Sequence, residues 1–472
     1  MKTHIGPPLY HRASTSCVQV LSRRHFLRTT VAAGLTAPFI FPCSLRAASP
    51  NGKLNHASIG VGGMGWNDVQ QFKSHPRAQV VAVCDVDANH LKQAAELCAG
   101  ARAYSDWREL LEKEGDRIDS VNVAVPDHSH FAIAWSAIRK GKHVYCQKPM
   151  CHDVAEIRAL TEAAAKMGVV TQLGTQMAAG AGDRTTVALL KAGAIGKVKH
   201  AYLCANRPGA VENYRLKGPR PAQGQEPPAS LKWDLWLGTA PARPFAPDIY
   251  HPVKWRAWQD FGTGWSGDIG CHIFDAVWKG LDLKPALSVV AEVQASWKDS
   301  PARRADTWPQ GQHITWTFPG NDRIDGRELT LEWADGEFYP PDDIRRLYTT
   351  DFKDYPTESA MLVGTEGALL GAGGHSPILL PEEKFKNYPK PKLHEGNHYH
   401  LFVDACLGGA QTESHFAQTG PMTESIILGT VAIRVPDQKL LWDNRRMEIT
   451  NVADANRYLR RSYRSGWKLD GF

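Results

Sequence analysis

The stretch "SIGVGGMGWNDVQQF", residues 58–72, decides the fold class of this chain. A short apolar run leads into Gly60, Gly62 and Gly65, and a helix-like pattern follows. At this spacing the first glycine permits a tight turn, the second lets a pyrophosphate approach the backbone, and the third allows a helix to pack closely on a strand. A helix that begins here offers free N–H groups to phosphates. The spacing also arises by chance, so the neighbouring sequence has to support it.

The neighbouring sequence alternates strand-like and helix-like segments. Short Val/Ile-rich runs bounded by turn residues are "HASIGV", "AQVVAVCD", "SVNVAV", "KHVYC" and "VVTQLG". Helical patterns lie between them at residues 88–99, 130–140 and 153–167. This alternation predicts a doubly wound parallel sheet, with the glycine turn at the end of its first strand.

Asp85 closes the second predicted strand, 20 residues after Gly65. A carboxylate at this position holds the ribose 2′-OH of a dinucleotide and repels a 2′-phosphate. No arginine follows it directly. The sequence therefore predicts a site for NAD rather than NADP.

Two further polar segments, "PDHSH" (126–130) and "QKP" (147–149), follow predicted strands, where ligands bind in such sheets. Alone, Lys148 is more typical of a surface lysine, and the two histidines are more typical of a helix cap. His128 and His130 also resemble half of a metal site, but no third ligand is specified. We predict no metal site.

From residue 175 the pattern changes, and the chain of 472 residues is long enough for a second core. The strand-like and then helix-like segments suggest a mainly antiparallel sheet with C-terminal helices. They lie at residues 287–297, 312–318, 328–333, 398–407 and 423–434. A basic tail, "RYLRRSYRSGW", follows.

The segment "GTGWSGDIGCHIFDAVW", residues 262–278, places Asp268, His272 and Asp275 on one face of a helix. Such a face suits acid–base chemistry. An acidic helix start with an ion pair is an equal alternative, and a metal site is a weaker one, because no Cys or second His joins at standard spacing.

Residues 1–48 have the pattern of a twin-arginine export signal. "SRRHFLR" precedes an apolar stretch at residues 31–41 that is too short to span a bilayer. This segment has six basic and no acidic residues, so the remainder carries 49 of each sign. That balance leaves no excess positive charge for binding nucleic acid or an anionic membrane. We predict a periplasmic or exported protein without stable membrane insertion.

The order of the motifs resembles that of the glucose–fructose oxidoreductase / inositol dehydrogenase / rhizopine catabolism (Gfo/Idh/MocA) family, in its secreted branch. The resemblance covers about residues 50–460 and rests on "GVGGMG", Asp85, "PDHSH", "QKP", "GTQ…LLKAGAIGKV", "WDLWLG", "WRAWQDFGTG" and "GDIGCHIFD". It implies a Rossmann domain followed by an α/β domain with an open, mainly antiparallel sheet. The predicted parts are an export signal (1–48), an NAD-binding domain (49–174) and a substrate-binding domain (175–472).

The resemblance also implies roles for residues. The family's Glu-Lys-Pro lysine falls on Lys148, and its aspartate and histidine fall on Asp268 and His272; we predict that these three are catalytic. Gln147 stands where the family has glutamate, and an amide cannot pair Lys148 as a carboxylate would. The predicted cofactor-binding residues are Gly60, Gly62, Gly63, Met64, Gly65, Asp85, Pro126, His128, His130, Gln147, Lys148 and Gln176.

The predicted function is NAD-dependent oxidation of a hydroxyl of a sugar, polyol or sugar derivative. His272 would be the base, oriented by Asp268, and Lys148 would stabilise the oxyanion. Free NAD is scarce outside the cytoplasmic membrane, so the cofactor would be tightly held. A glycoside hydrolase that oxidises, eliminates, adds water and reduces again is an alternative on the same residues, and a non-catalytic sugar-binding protein is a third. We expect a carbohydrate substrate and a homo-oligomer formed through the second sheet.

Overall fold

The computed structural model describes residues 52–207, 220–221 and 223–472, all within one compact unit that spans residues 46–472. The predicted export signal therefore lies outside the described residues. None of the described helices has the length and apolar character needed to cross a membrane.

The first part of the described chain forms a six-stranded parallel sheet in the order β3-β2-β1-β4-β5-β6. The order reverses between β1 and β4, and ligands bind at such a switch point in doubly wound sheets. The predicted fold class is confirmed. The strands are β1 (Leu54–Ile59), β2 (Ala78–Cys84), β3 (Arg102–Tyr104), β4 (Ser120–Val123), β5 (His143–Cys146) and β6 (Thr171–Leu173).

Five helices accompany this sheet. The predicted helix at residues 130–140 starts earlier, because Pro126 precedes the first turn and its missing N–H needs no partner there. The "PDHSH" segment is thus a helix start. The helices are α1 (Met64–Ser74), α2 (Ala88–Leu97), α3 (Trp107–Glu114), α4 (Asp127–Arg139) and α5 (Val154–Met167).

A second, mixed sheet has the order β13-β12-β11-β7-β10-β9-β8-β14-β15 within the described residues. Only β7 and β10 pair in parallel there; the other described pairs are antiparallel. Its strands are β7 (Val198–Ala205), β8 (Ser288–Val293), β9 (Gln312–Pro319), β10 (Glu328–Asp335), β11 (Glu358–Gly364), β12 (Ala368–Gly371), β13 (Ile378–Leu380), β14 (Leu440–Asp443) and β15 (Glu448–Ile449).

Helices cover this sheet and connect it to the first. They are α6 (Ala181–Lys191), α7 (Trp233–Leu237), α8 (Gly264–Leu281), α9 (Ala295–Lys298), α10 (Pro301–Arg304), α11 (Asp342–Arg345), α12 (Glu382–Phe385), α13 (His398–Cys406) and α14 (Phe416–Arg434). Short 3₁₀ helices lie at Gln176–Ala179, Lys254–Ala257, Phe352–Asp354 and Ala453–Tyr458.

Two of these elements correct the sequence-based boundaries. The predicted strand 287–297 is too long, because fully buried Trp297 belongs to the short helix α9. The predicted helix 423–434 is too short: α14 begins at Phe416 and includes Pro421. Helix α14 packs on α5 and α8, and burial on both sides stabilises it despite the proline.

The basic tail crosses back to the parallel sheet. Arg461 Nε donates to Glu156 Oε1 over 2.9 Å, and the ring of Phe472 packs on that of Phe131 at 4.4 Å between centroids. Arg464 forms an ion pair with Asp234 at 2.6 Å. Several of the tail's cations are therefore paired within the protein.

Candidate functional site

The glycine turn leaves no room for side chains at two of its positions. Gly60 has φ +79°, and a Cβ there would lie 2.3 Å from the carbonyl oxygen of Ala124. A Cβ on Gly65 would lie 2.1 Å from the carbonyl oxygen of Gly60. Only glycine lets the turn pass this closely between β1, β4 and the start of α1, which is the packing expected from the spacing.

The start of α1 fits a dinucleotide diphosphate. The helix begins at Met64 with no side-chain cap and no acidic residue in its first turn. No carboxylate of the helix's own first turn therefore offsets its positive end. Asp85, at the end of β2, accepts hydrogen bonds from the backbone N–H groups of Val61 and Asp87, each over 2.8 Å. These bonds hold its carboxylate beside the turn, where a ribose would lie.

His90 is a residue of this turn that the sequence analysis missed. A Cβ on Gly62 would lie 2.3 Å from Nδ1 of His90, so the glycine accommodates an imidazole as well as a ligand. Nδ1 of His90 lies 3.8 Å from Oδ1 of Asp85, and that carboxylate raises the pKa of His90. Its position in the first turn of the helix that follows Asp85 is the sequence feature that could have identified it.

The "PDHSH" segment ties the parallel sheet to α8. Buried Asp127 accepts hydrogen bonds from the backbone N–H and the hydroxyl of Thr263, over 3.1 and 3.0 Å, immediately before α8. Burial, and then the charge of Asp268, raise the pKa of Asp127. The first turn of α4 thus fixes the start of the helix that carries Asp268.

The two histidines of this segment face backbone carbonyls. His128 Nε2 lies 3.0 Å from the carbonyl oxygen of Trp236, and His130 Nδ1 lies 2.7 Å from that of Pro149. Burial lowers the pKa of His128 to about 3 and that of His130 to about 4, so both rings are neutral at physiological pH. Their contact with a cofactor stays a prediction, whereas their contacts within the protein are structural.

Metal interpretations find no support in the part of the chain that the structure describes. No group of three or more His, Cys, Asp or Glu residues there could hold a metal ion. Asp275, the third residue of the α8 face, pairs instead with Lys279 at 2.6 Å.

The centre of the site is an ion pair between Lys148 and Asp268. The lysine follows β5 and the aspartate lies on α8, 120 positions later; Nζ of Lys148 donates to Oδ1 of Asp268. Arg256 Nε donates to the other carboxylate oxygen over 3.1 Å. The side chains of Lys148 and Asp268 are only 12% and 8% exposed. Two motifs predicted separately are therefore joined, and Arg256 of "WRAW" is a further member that the sequence analysis missed.

His272 lies one turn after Asp268 and lines a cavity of about 290 Å³ with Lys148, Met64 and Gln176. Burial, and then the charge of Lys148, lower the pKa of His272 to about 3; Asp268 opposes this shift. Its Nδ1 is buried and has no hydrogen-bond partner among the described residues. The imidazole is thus neutral and able to accept a proton. The predicted orientation of His272 by Asp268 stays a prediction, since the carboxylate bonds described above go to Lys148 and Arg256.

Gln147 has a partner that the sequence analysis did not anticipate. Its Nε2 donates to both oxygens of Asp68, over 3.0 and 2.9 Å, and the hydroxyl of Tyr399 donates to Oδ1 over 2.8 Å. Burial raises the pKa of Asp68 to about 7. The amide therefore pairs with a carboxylate on α1, while the carboxylate bound to Lys148 comes from α8.

The second domain also contributes polar residues to the wall of the cavity. Asp183 at the start of α6, Glu358 of β11 and Arg207 line it. Burial, and then the charge of Asp275, raise the pKa of Asp183 to about 7, and its Oδ2 has no hydrogen-bond partner among the described residues. A few convergent polar groups on a mainly apolar wall are typical of a small-molecule site.

Two family models match the chain. The first, an oxidoreductase family with an NAD-binding Rossmann fold, matches residues 54–175; the second, the C-terminal alpha/beta domain of the oxidoreductase family, matches residues 190–335. Together they cover more than half of the sequence. The first domain is thus an NAD-binding Rossmann domain.

Curated relatives match part of the chain. The inositol 2-dehydrogenase of Renibacterium salmoninarum is 31% identical over 156 residues, 33% of this chain and 46% of that protein. The D-apiose dehydrogenase of Paraburkholderia graminis is 30% identical over 117 residues, 25% and 31% of the two chains. The chain thus spans less than half the length of these relatives.

Solved structures share the fold over most of both chains. The WlbA dehydrogenase from Bordetella pertussis, in complex with NADH and UDP-GlcNAcA, has a TM-score of 0.57 at 14% identity and covers 83% of this chain and 99% of its own. An inositol dehydrogenase homolog from Azotobacter vinelandii, complexed with NADH and myo-inositol, has a TM-score of 0.53 at 16% identity, covering 83% and 98%. Together with the family models, these matches show that the chain belongs to the Gfo/Idh/MocA oxidoreductase family.

Proposed function

We propose that this protein is an NAD-dependent oxidoreductase that acts on a hydroxyl group of a sugar, a polyol or a sugar derivative. The observation that carries the proposal is the buried Lys148–Asp268 ion pair next to neutral His272. Both Lys148 and His272 line a cavity that reaches Met64 at the glycine turn. A base and a cation therefore face the same space, beside the segment that fits a dinucleotide.

The residues have complementary roles in this proposal. NAD, when bound, supplies a hydride acceptor. His272, whose ring is neutral because burial lowers its pKa, takes the hydroxyl proton. Lys148, which Asp268 positions through a hydrogen bond, donates to the substrate oxygen as negative charge develops. Asp268 lies one turn from His272 and offsets the positive charge that the imidazole gains.

The cavity wall supports a polyhydroxyl substrate. Asp183, Glu358 and Arg207 place carboxylates and a guanidinium opposite the acid–base residues, and such groups bind hydroxyls. The names of the relatives, inositol 2-dehydrogenase and D-apiose dehydrogenase, indicate the same class of substrate.

We also propose that the protein is exported folded, by the twin-arginine route, with NAD inside it. The support is the "SRRHFLR" segment, which lies outside the described residues, and the absence of disulfides among the described cysteines, which all carry free thiols. A cofactor carried out in this way has to be regenerated on the enzyme.

The test uses the purified full chain, NAD and a panel of cyclic polyols and aldoses. Lys148→Ala and His272→Ala should each lower kcat by about 10²-fold or more, and the double variant should be little worse than the poorer single one, because groups that act as a unit fail together. His394→Ala, an exposed histidine, serves as the control and should keep full activity. Near-normal kcat in His272→Ala would refute the proposal.

The same experiment separates the alternatives. Net formation of NADH with a polyol supports the dehydrogenase. Release of an aglycone from a glycoside without net NADH would support the glycoside hydrolase cycle. Binding of carbohydrate with neither reaction would indicate a non-catalytic protein.

A further inference from the structure

A second cavity, of about 40 Å³, lies away from the substrate cavity and is lined by an unusual concentration of arginines. Four of them, Arg434, Arg457, Arg460 and Arg461, face it together with His152. The last three belong to the basic tail, which the proposed function does not use. Arg434 is the C-terminal residue of α14.

Among the described residues, Arg461 alone of the four cations has a carboxylate oxygen within ion-pair distance. Arg461 is bound to Glu156 at 2.8 Å and to Asp153 at 3.7 Å. Within the described residues, no carboxylate oxygen lies within 4.0 Å of Arg434, Arg457 or Arg460. Asp153, the acidic residue that lines the cavity, is therefore already engaged.

Arg434 is the least expected of these cations. Its Nε is buried and has no hydrogen-bond partner among the described residues, and its guanidinium lies over the rings of Trp308 and Tyr458, at 4.8 and 4.9 Å from their centroids. A buried charge normally requires a paired charge or hydrogen bonds. Burial lowers the pKa of Arg434 to about 10; Tyr458 and the charges of Asp260 and Asp153 oppose this shift, and the charge of Arg457 contributes to it.

Arg457 lies over the same tyrosine ring, at 4.7 Å from its centroid, and donates to the Tyr458 hydroxyl over 2.6 Å. Tyr458 thus fixes two guanidinium groups beside one cavity although they repel each other. His152 completes the wall: it is 7% exposed, and its Nε2 has no hydrogen-bond partner among the described residues. The cavity is thus lined by several donors, and the one carboxylate that lines it in the described part of the chain, Asp153, is bound to Arg461.

We propose that this cavity binds a small tetrahedral oxyanion, of the phosphate or sulfate class, through Arg434 and Arg457. Guanidinium groups match the geometry of such oxyanions, which accept two parallel hydrogen bonds from one arginine. The volume exceeds what one water requires, roughly 10–15 Å³, and is of the size of a few waters or one such ion. The site is separate from the glycine turn and from the cavity that His272 lines.

The test is a titration of the full chain with inorganic phosphate at constant ionic strength, in the presence of saturating NAD so that the glycine turn is occupied. Calorimetry and thermal unfolding are measured together. Phosphate and sulfate should raise Tm by a few degrees relative to chloride at the same ionic strength, because a ligand that binds only the folded state stabilises it. Glucose 6-phosphate is a further probe, and tighter binding than phosphate would identify a phosphate ester as the ligand of the same site.

Arg457→Gln is the main variant, because its side chain is exposed and its loss should not prevent folding. It and Arg434→Gln should weaken phosphate binding about tenfold or more, whereas Arg327→Gln, an exposed arginine in the β9–β10 connection, should bind as the unmodified protein does. Equal phosphate affinity in Arg457→Gln, or no effect of phosphate and sulfate on the unmodified protein, would overturn the proposal.

Discussion

Replacement of Gln147 by glutamate restores the side chain that the family motif has at this position, and we expect it to destabilise the protein. Both oxygens of Asp68 already accept from the Gln147 amide, at 3.0 and 2.9 Å, and Gln147 is 5% exposed. A carboxylate in place of that amide would contact a second carboxylate in a buried site. Two such groups cannot both be ionised, so the folded variant has to retain one proton.

The size of the effect follows from that proton. A glutamate ordinarily ionises near pH 4.3, so keeping the pair protonated costs about 1.4 kcal/mol for each pH unit above that value. Asp68 of the unmodified protein already holds such a proton up to about pH 7. The variant should therefore lose additional free energy of unfolding above that pH, about 1.4 kcal/mol at pH 8, and little at pH 6. For a chain of this length that loss corresponds to roughly 1–2 °C in Tm at pH 8.

The sign of the pH dependence is already set in the unmodified protein. Burial raises the pKa of Asp68 to about 7, so the folded state binds this proton more firmly than the unfolded state between about pH 4 and pH 7. Stability from this group is therefore lost as the pH rises through that window. Gln147→Glu should extend the loss to higher pH, with the slope of one proton.

The assay is thermal unfolding at pH 6 and pH 8 of Gln147→Glu, of the double variant Asp68→Asn/Gln147→Glu, and of the control Gln93→Glu on the exposed face of α2. The double variant exchanges amide and carboxylate between two positions of unchanged length, so it should recover most of the lost Tm. A Gln147→Glu protein as stable as the unmodified one at pH 8, or a double variant as unstable as the single, would refute the reasoning.

Three further outcomes are expected. Asp85→Ala should weaken NAD binding about tenfold or more in equilibrium titrations, because a charge-assisted hydrogen bond is lost; unchanged affinity would show that Asp85 does not bind the ribose. Gly65→Ala, whose methyl would lie 2.1 Å from the carbonyl oxygen of Gly60, should lower both Tm and NAD affinity, and normal values of both would contradict the close packing of the turn. Lysines in place of Arg23 and Arg24 should stop export, as measured by cell fractionation, and the proposed route is wrong if export continues.

The parallel sheet could be predicted because its signals are local. Gly60 and Gly65 are required by contacts with the neighbouring backbone, and the apolar run of β4 is buried on both faces. Lys148 and Asp268 could be singled out for a similar reason, since each lies in a short motif. That they form an ion pair 120 positions apart depends on the packing of α8 against the first domain, which no local pattern encodes.

The partners of the predicted residues were harder to predict from the sequence. Asp68 lies within the stretch that decides the fold. Its hydrogen bonds, however, come from Gln147 and from Tyr399, which lies on α13, more than 300 positions later. Arg434 is an ordinary basic residue at a helix C-terminus until the tail folds over it. Such residues differ from surface polar residues only through burial, which a single sequence does not report.

The return of the tail to the parallel sheet has a consequence for synthesis on the ribosome. Arg461 binds the carbonyl oxygen of His128, 333 positions earlier, and Trp135 Nε1 donates to the carbonyl oxygen of Asp470 over 3.3 Å. At roughly 10 residues per second, on the order of half a minute separates translation of α4 from translation of the segment that covers it. During that time Phe131 and Trp135 lack their contacts with Phe472, so the nascent chain has an apolar surface to which chaperones can bind. A protein released from the ribosome before this segment would carry every residue of the glycine turn yet keep that surface open.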